Sequence, residues 1–273
     1  MNQKEQNGER RLRLAVFDWA GTTVDYGSMM PVMVFDKVFR SAGIVLSRAE
    51  INEPMGKEKK EHIRELLSLP SASEQWQKAQ QRSWTEADVE ALYQQFEQVL
   101  SENVASRSKP LEGVAETISL LRGQGLKIGS TTGYTAEIMK QVLPVAAAGG
   151  YAPDFVVTPD VTGCGRPSPF MLYECMRQAG IYPPQAVVKV GDTITDIREG
   201  KNAGAWTVGL LTGSNLLGLD EEEAERIDGQ TFAARREAAR LRYLAAGADF
   251  VAERFTELPE IFSIIEERLQ EGA

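Results

Sequence analysis

The chain has 273 residues, with 30 Lys and Arg against 39 Asp and Glu, which gives a formal charge of −9. A composition that is 42% hydrophobic and 25% charged is typical of a globular protein and argues against intrinsic disorder. The acidic balance argues against nucleic acid or an anionic membrane as a partner, because both require clustered basic residues. An anionic small-molecule substrate is compatible with a negative net charge, since the pocket that binds it needs only local positive charge.

The first ten residues are polar and lack the apolar stretch of a secretory signal, so we expect a frayed tail there. No segment approaches the roughly 18 consecutive apolar residues of a membrane span. The two cysteines, Cys164 and Cys175, are too few for a disulfide framework and lack the partners of a zinc site. We therefore expect free thiols in a cytoplasmic protein.

Short β-branched segments alternate with helical patterns along the chain, which is typical of a parallel sheet covered by helices. Several of these segments are apolar throughout, as expected for strands that are buried on both faces. The sequence thus predicts a doubly wound α/β fold with a mostly parallel sheet. The predicted strands are 12–17, 126–129, 155–157, 186–190, 206–210 and 249–251. The predicted helices include 114–122, 135–143, 169–179 and 195–203.

One region interrupts this alternation, because residues 26–106 show helical spacing and no convincing strand. Apolar residues recur there at three- and four-residue intervals, as at Phe35 and Phe39. A segment of this length is too long for an ordinary connection. We interpret 26–106 as an inserted α-helical cap domain over the carboxyl edge of the sheet, where such folds bind ligands. Residues 1–25 and 107–273 then form the α/β core domain.

Three positions at strand ends or in loops are candidates for binding a phosphoryl group. Asp18 ends the first strand before a turn through Gly and Thr, which presents a carboxylate where backbone N–H groups hold an anion. Such an Asp is more often a turn residue or a helix cap, so this position alone indicates little. The second strand leads to Thr132 and Gly133, whose hydroxyl-rich surroundings suit phosphate oxygens. Arg166 lies in a loop that provides a fixed cation.

Asp192 lies just after the predicted strand 186–190 and four residues before Asp196. If a helix starts there, these two carboxylates lie on one face of it. Together with Asp18 they would form an oxygen cluster suited to Mg²⁺. The alternative for Asp196 is a supporting role in the first turn of the helix.

The predicted cap contains a further candidate group in a turn and helix start at residues 53–63. Three lysines compete there, and a solvated helix face is the ordinary explanation for one or two of them. Helical periodicity places Lys59 on the same face as His62, and Lys60 on a different one. A desolvated Lys near other cations has a lowered pKa and can form a Schiff base with an aldehyde. His62 is the only histidine in the chain, and a lone His is more often structural than catalytic.

These positions, in this order and with a helical insertion after the first, resemble the haloacid dehalogenase superfamily of aspartyl-nucleophile hydrolases. The resemblance implies that Asp18 attacks phosphorus and that Thr132 contacts the phosphoryl group. It also implies that Arg166 takes the place more often held by Lys. The implied cofactor is Mg²⁺, with ligands and support from Asp18, the backbone carbonyl of Ala20, Asp192 and Asp196.

The chain departs from ordinary phosphatases of this superfamily at Ala20, where they have a second Asp. That Asp protonates the leaving alkoxide and then activates water. Ala20 can do neither, so either the chain is an impaired phosphatase or its leaving group does not need an acid. A carbon leaving group needs an electron sink instead, and the imine of a lysine supplies one.

The closer resemblance is to the phosphonoacetaldehyde hydrolase family, through DWAGTTVDYG at 18–27 and PMGxxKxxH at 54–62. Residues 129–135 and 189–193 extend the match. The family hydrolyses phosphonoacetaldehyde, formed in 2-aminoethylphosphonate degradation, to acetaldehyde and phosphate. The resemblance implies that Lys59 forms the Schiff base and that His62 assists proton transfer. Four further residues are expected to shape the substrate pocket, namely Met55, Gly56, Gly133 and Tyr134.

The same resemblance implies a homodimer formed through the cap helices. The segment 30–39 has enough apolar residues for that interface, although core packing explains them equally well. The chain departs from the family at Ser28, where the family has Cys near the substrate. The alternatives are a phosphatase acting on small phosphate monoesters, which Ala20 and Lys59 disfavour, and an inactive binding protein, which the intact motif residues disfavour.

Overall fold

The computed structural model describes residues 11–272, which contain a six-stranded sheet. The strands are β1 (Leu14–Phe17), β2 (Lys127–Thr131), β3 (Phe155–Val157), β4 (Val187–Gly191), β5 (Trp206–Leu210) and β6 (Phe250–Ala252). Their order is β3-β2-β1-β4-β5-β6, and every neighbouring pair is parallel. The predicted α/β fold with a parallel sheet is therefore confirmed.

The helices divide into an insertion after β1 and a set that alternates with the remaining strands. The insertion contains α1 (Met29–Ser41), α2 (Arg48–Asn52), α3 (Lys59–Ser68), α4 (Pro70–Gln80) and α5 (Glu86–Asn103). The others are α6 (Val114–Gly123), α7 (Ala136–Ala148), α8 (Pro159–Thr162), α9 (Phe170–Ala179), α10 (Ile194–Ala203), α11 (Glu221–Arg226), α12 (Gly229–Ala245) and α13 (Leu258–Gln270). Within the described residues, no strand lies between 26 and 106, as the sequence predicts.

β1 lies at the centre of the sheet, and all four of its residues are buried. Successive side chains of a strand point to opposite faces. Leu14 and Val16 accordingly join one apolar cluster, whereas Ala15 and Phe17 join the other. This two-sided burial explains why the strand is apolar throughout.

The strands lie where the sequence predicts them, with small shifts at their ends. Leu12 precedes β1, and its N–H donates to the Glu266 carboxylate at 2.9 Å instead of to a neighbouring strand. β2 continues two residues beyond the predicted end, so Ser130 and Thr131 belong to the strand and not to the loop after it. This extension brings the Thr131 side chain into the interior at the carboxyl edge of the sheet.

Two adjacent connections join the helical insertion to the rest of the chain. Val24 pairs with Pro110 in an isolated antiparallel bridge, and the N–H of Leu111 donates to the carbonyl of Thr23 at 2.9 Å. The chain thus leaves and re-enters the sheet region at one place.

The apolar residues of segment 30–39 serve mainly the interior of this chain. Phe35 is fully buried and its ring lies 4.4 Å from that of Phe96, between centroids. Met33 is the exception, with 52% of its surface exposed.

Among residues 11–272, no helix combines the length and apolar character that a membrane crossing requires. Cys164 and Cys175 are both free thiols, as expected. The expectation of a frayed tail at residues 1–10 lies outside the described residues.

Candidate active site

The carboxylates predicted to form a cluster meet at the carboxyl edge of the sheet. Asp18 follows β1, and its backbone N–H donates to the carbonyl of Val190 in β4 at 3.0 Å. Asp192 follows β4, the parallel neighbour of β1, so the two strand ends lie side by side. Oxygen atoms of Asp18, Asp192 and Asp196 lie within 4.8 Å of one another, and all three residues are buried.

The local geometry behind this cluster differs from the predicted one. Asp192 lies before the helix, because Thr193 is the N-cap of α10. The Asp196 carboxylate turns back and accepts the Thr193 hydroxyl at 2.6 Å, which completes a capping box. The prediction that Asp192 and Asp196 share one face of a helix is therefore wrong. A cap turn brings them together instead.

Asp192 is held by contacts from the turn after β1 and from the loop after β5. Its Oδ1 accepts the Thr22 hydroxyl at 3.2 Å, and its Oδ2 accepts the Asn215 N–H at 2.8 Å and lies 3.3 Å from Ser28 Oγ. Gly21 has a φ of +84°, and a Cβ there would lie 2.1 Å from Asp192 Oδ2, so only glycine fits. Burial, followed by the nearby Asp18 and Asp196 carboxylates, raises the pKa of Asp192 well above its ordinary value.

Arg166 joins the nucleophile candidate to Asp196. Its Nη1 lies 2.7 Å from Asp18 Oδ1 and 2.9 Å from Asp196 Oδ1. Burial raises the pKa of Asp18 despite the opposing effect of Arg166. Burial also opposes ionisation of Asp196, but Arg166 and Lys189 outweigh it and hold the pKa of that carboxyl below its ordinary value. The Asp196 carboxylate is thus charged, and it already pairs with the two protein cations Arg166 and Lys189.

Lys59 is the first residue of α3, and 5% of its surface is exposed. Its Nζ lies 5.7 Å from the ring centroid of Phe35, 5.9 Å from that of Phe96 and 5.6 Å from that of Tyr134. Burial lowers the pKa of Lys59 to about 8, against the opposing effect of Asp18. A fraction of the amine is therefore neutral, and hence nucleophilic, near pH 7.

The two neighbouring lysines differ from Lys59 in their surroundings. Lys57 pairs with Glu65, and Lys60 pairs with Glu90 at 2.7 Å, with both lysine side chains partly in contact with solvent. Lys59 is thus the buried member of the three.

His62 lies one turn after Lys59 and is fully buried. Its Nε2 lies 2.9 Å from the carbonyl of Ile51, which can only accept, so Nε2 carries the proton. Burial, followed by the charge of Lys59, lowers the pKa of His62 well below its ordinary value. The ring is therefore neutral, and Nδ1 is a bare acceptor with no hydrogen-bond partner among residues 11–272.

Glycines allow the helical insertion to approach the strand-end loops. Gly56 has a φ of +88°, and a Cβ there would lie 2.5 Å from Thr193 Oγ1. A Cβ on Gly133 would lie 3.1 Å from the carbonyl oxygen of Lys57. The carbonyl of Met55 also accepts the Thr195 hydroxyl at 3.3 Å. These contacts hold the loop before α3 against the start of α10.

The insertion and the strand ends enclose a small cavity of about 20 Å³, which is enough for about one water molecule. Most of the predicted site residues line it. The lining comprises Asp18, Ala20, Ser28, Pro31, Met55, Gly56, Lys59, Thr132, Gly133, Tyr134, Arg166 and Thr193. Three predicted site residues do not line the cavity, namely Asp192, Asp196 and His62.

The residues around Asp18 fit a hard divalent cation such as Mg²⁺. Asp18 and Asp192 supply buried carboxylate oxygens, and Ala20 lies in the turn directly after Asp18 and lines the cavity. The Ser28 hydroxyl donates to the Ala20 carbonyl at 3.0 Å and so fixes its direction. An all-oxygen donor set with two carboxylates is the kind that Mg²⁺ binds.

Sequence reasoning missed three buried polar residues next to Arg166, namely Thr131, Lys189 and Glu199. Each contacts Arg166 or its partner Asp196. A signal was present, because Lys189 is a charged residue within the otherwise apolar strand β4. Glu199 lies three residues after Asp196, on the same side of α10.

Comparisons with known proteins agree on the family. A family profile for haloacid dehalogenase-like hydrolases matches residues 12–204, and a second profile for HAD-like hydrolases matches residues 163–258. The phosphonoacetaldehyde hydrolase of Bacillus cytotoxicus is 44% identical over 258 residues, which cover 94% of this chain and 98% of that protein.

Solved structures give the same result. A phosphonoacetaldehyde hydrolase-like protein from Oleispira antarctica superposes with a TM-score of 0.94 at 34% identity, covering 96% of this chain and 95% of that one. A predicted phosphoglycolate phosphatase from Haemophilus somnus shares the fold alone, with a TM-score of 0.68 at 18% identity over 93% of this chain and 100% of its own. The chain therefore belongs to the phosphonoacetaldehyde hydrolase family of haloacid dehalogenase-like hydrolases.

Proposed function

We propose that this hydrolase cleaves the carbon–phosphorus bond of phosphonoacetaldehyde to give acetaldehyde and phosphate, as a step in 2-aminoethylphosphonate degradation. The observation that carries the proposal is the buried amine of Lys59, which lines the same cavity as Asp18 and Arg166. Hydrolysis of a phosphate monoester involves no carbonyl group, so it gives such an amine no function. The name shared by the curated relatives supports the same substrate.

The first step in this proposal is imine formation. The neutral Lys59 amine attacks the aldehyde carbon, and loss of water leaves a protonated imine. The lowered pKa of Lys59 supports this role, because a fully protonated amine has no free electron pair. The imine is the electron sink that the carbon leaving group requires.

The second step is attack by an Asp18 carboxylate oxygen on phosphorus. The electron pair of the carbon–phosphorus bond moves to carbon and into the imine, which becomes an enamine on Lys59. The phosphoryl group is then bound to Asp18. Arg166 and Thr132 stabilise the phosphoryl charge during the transfer, which is the main electrostatic requirement of such reactions.

Two hydrolytic steps complete the cycle. The enamine takes a proton on carbon, and water then releases acetaldehyde and the free Lys59 amine. A second water releases phosphate from Asp18. His62 Nδ1 is a neutral acceptor one helical turn from Lys59, and this supports a role in moving protons at the Lys59 nitrogen.

When Mg²⁺ is bound, it offsets the repulsion between the attacking carboxylate and the anionic phosphoryl group. Asp18, Asp192 and the carbonyl of Ala20 would hold it. Asp196 would act from outside this set, because its carboxylate already pairs with Arg166 and Lys189.

We further propose that residues 26–106 form a cap domain that moves relative to a core domain of 1–25 and 107–273. The cavity admits about one water molecule, so a larger substrate requires the loop at Met55 and Gly56 to withdraw from α10. Closure would then exclude water and bring Lys59 to the aldehyde. A cytoplasmic homodimer, in contact through the α1 region around exposed Met33, completes the proposal.

The test combines product analysis with trapping of the imine. Purified enzyme with Mg²⁺ is expected to release acetaldehyde and phosphate from phosphonoacetaldehyde in equal amounts. Borohydride added during turnover is expected to give a stable adduct that maps to Lys59 and is absent from Lys59→Ala. Lys60→Ala is the matched control and should keep both activities, because Lys60 pairs with Glu90 outside the cavity.

Several results would contradict the proposal. An adduct on Lys57 or Lys60 would exclude Lys59 as the amine. Faster hydrolysis of phosphate monoesters than of phosphonoacetaldehyde would favour the phosphatase alternative. The variant Asp18→Ala should lose turnover yet still form the imine, and loss of both in a folded protein would show that the two roles are not separate.

A further inference from the structure

Thr131, the last residue of β2, uses every hydrogen-bonding position of its hydroxyl group within the protein. Its Oγ1 accepts from Arg166 Nη2 at 2.9 Å and from Lys189 Nζ at 2.7 Å, and it donates to Glu199 Oε2 at 3.0 Å. A hydroxyl group has one donor and two acceptor positions, so these three contacts occupy all of them. The four residues are at most 4% exposed.

Ion pairs join the same residues to the carboxylate cluster. Glu199 Oε2 lies 3.1 Å from Arg166 Nε and 3.2 Å from Lys189 Nζ. Lys189 Nζ also lies 2.9 Å from Asp196 Oδ1, the atom that contacts Arg166 Nη1. Each charged group therefore has a partner of opposite sign, which buried charges require.

This arrangement fixes the orientation of Arg166. The guanidinium group is planar and rigid, so contacts to two of its nitrogen atoms determine the direction of the third. The Thr131 hydroxyl accepts a hydrogen bond from Nη2, and the Glu199 carboxylate lies beside Nε as an ion pair without a hydrogen bond to it. Nη1 is thereby directed at Asp18 Oδ1, 2.7 Å away.

We propose that Thr131, together with Lys189 and Glu199, is a positioning residue that sets the plane of the Arg166 guanidinium before substrate binds. Lys189 balances the charge of Glu199, so that the charge of Arg166 is directed to Asp18 and the phosphoryl group. This inference rests on the proposed function, because that function gives Arg166 its task in phosphoryl transfer. Thr131 acts through Arg166 and does not line the cavity.

A purely structural role makes a different prediction. In that case loss of the Thr131 hydroxyl would lower the stability of the protein but would leave the turnover of each folded molecule unchanged. The two roles are separated by measuring kcat per folded enzyme, together with a step that does not use Arg166. Imine formation between Lys59 and acetaldehyde is such a step, because acetaldehyde carries no phosphoryl group.

The experiment compares Thr131→Val, which keeps the shape but removes the hydroxyl, with Thr131→Ser, which keeps the hydroxyl. Thr131→Val is expected to lower kcat for phosphonoacetaldehyde by about 10-fold to 100-fold, the range expected for a misplaced catalytic group. Borohydride trapping of acetaldehyde on Lys59 should stay at the wild-type level. Thr131→Ser should recover most of the lost kcat.

Two further variants keep the test decisive. Glu199→Gln provides the same comparison if Thr131→Val does not fold, since it removes the charge held at Arg166 Nε but keeps the shape. Asp249→Asn is the matched control, because its carboxylate accepts the Thr207 N–H at 2.8 Å and pairs with Lys201 at 3.0 Å at the opposite end of the strands. It should lower stability and leave kcat unchanged.

The outcomes that overturn the inference differ from those that overturn the proposed function. Wild-type kcat in folded Thr131→Val, or equal losses in Thr131→Val and Thr131→Ser, would exclude the positioning role. A wild-type enzyme that neither cleaves phosphonoacetaldehyde nor forms the Lys59 adduct would contradict the proposed function itself.

Discussion

Gly56 lies so close to Thr193 that a Cβ atom at residue 56 would stand 2.5 Å from the Thr193 hydroxyl oxygen. The contact joins the loop before Lys59 to the N-cap of α10, directly after Asp192. It thus links the segment that carries the amine to the segment that carries the carboxylates. We therefore expect the distance between Lys59 and the carboxylate cluster to depend on this contact.

Gly56→Ala should therefore disturb the approach of these two segments. We expect kcat/KM for phosphonoacetaldehyde to fall by about 10-fold or more, because a small displacement of catalytic groups has a large effect on rate. Gly180→Ala is the matched control, since Gly180 also has a positive φ of +65° but no atom within 4 Å of the added Cβ. It should cost about 1 kcal/mol of stability. Equal kcat/KM in both variants would show that the contact has no catalytic importance.

Lys59 should destabilise the folded protein at neutral pH, because a charged amine is buried among aromatic rings. Its pKa is about 8 in the folded state against 10.5 for an exposed lysine. Lys59→Met should thus raise the free energy of unfolding at pH 7, by up to about 3 kcal/mol. Between pH 8 and 10.5 the unfolded wild type binds more protons than the folded protein, so wild-type stability rises with pH and the gain shrinks. Urea unfolding of the wild type and of Lys59→Met across this pH range measures the difference in their free energies of unfolding. A difference that does not change with pH would contradict a lowered pKa for Lys59.

The same pKa predicts the pH dependence of imine formation. The rate of borohydride-trappable adduct formation should rise about tenfold per pH unit below pH 8 and level off above it, because only the neutral amine attacks. Lys60→Ala should show the same profile, since Lys60 interacts with Glu90 and the ring of Tyr93 instead. A midpoint near the ordinary lysine value of 10.5 would show that burial does not activate this amine.

The sequence was sufficient to predict the sheet and most of the residues that lie together at the candidate site, for identifiable reasons. A segment that is apolar throughout, such as β1, indicates a strand that is buried on both faces. The carboxyl ends of neighbouring parallel strands lie at the same edge of the sheet. Asp18 and Asp192 were therefore brought together by topology alone. Helical periodicity likewise separated Lys59 from Lys60, because one turn of helix decides which side chain is buried.

The features of the candidate site that could not be predicted from the sequence depend on contacts between residues that are distant in sequence. No local pattern shows that the Thr131 hydroxyl meets Lys189, which lies 58 residues later. The position of Asp192 outside α10 depends on the cap formed by Thr193, which the spacing to Asp196 does not reveal. The acceptor state of His62 Nδ1 likewise depends on the carbonyl of Ile51, eleven residues earlier.

Ser28 should influence binding of Mg²⁺, because its hydroxyl contacts two of the proposed ligands. It donates to the Ala20 carbonyl at 3.0 Å and lies 3.3 Å from Asp192 Oδ2. Removal of such an orienting contact typically weakens metal binding by about 10-fold to 100-fold. Ser28→Ala should raise the half-saturating Mg²⁺ concentration accordingly, and Ser28→Cys should have a smaller effect because a thiol is a weak donor. Calorimetric titration with Mg²⁺ measures both, and unchanged affinity in Ser28→Ala would argue against Ala20 as a ligand.

Ala20 should determine which leaving group the enzyme can expel. It lines the cavity two residues after Asp18, and its methyl group cannot protonate an alkoxide. Ala20→Asp should therefore increase hydrolysis of ethyl phosphate, whose leaving group needs a proton, by about 10-fold or more. Hydrolysis of p-nitrophenyl phosphate should change little, because nitrophenolate leaves without protonation.

The ratio of these two rates separates acid catalysis from a general change in the site. If Ala20→Asp merely altered the proposed Mg²⁺ site or the position of Asp18, both esters would respond equally and the ratio would stay constant. A rise in the ratio, accompanied by lower turnover of phosphonoacetaldehyde, would indicate that a proton donor has been added where the carbon leaving group uses none. A constant ratio would show that the methyl group at residue 20 is not what directs this site away from phosphate esters.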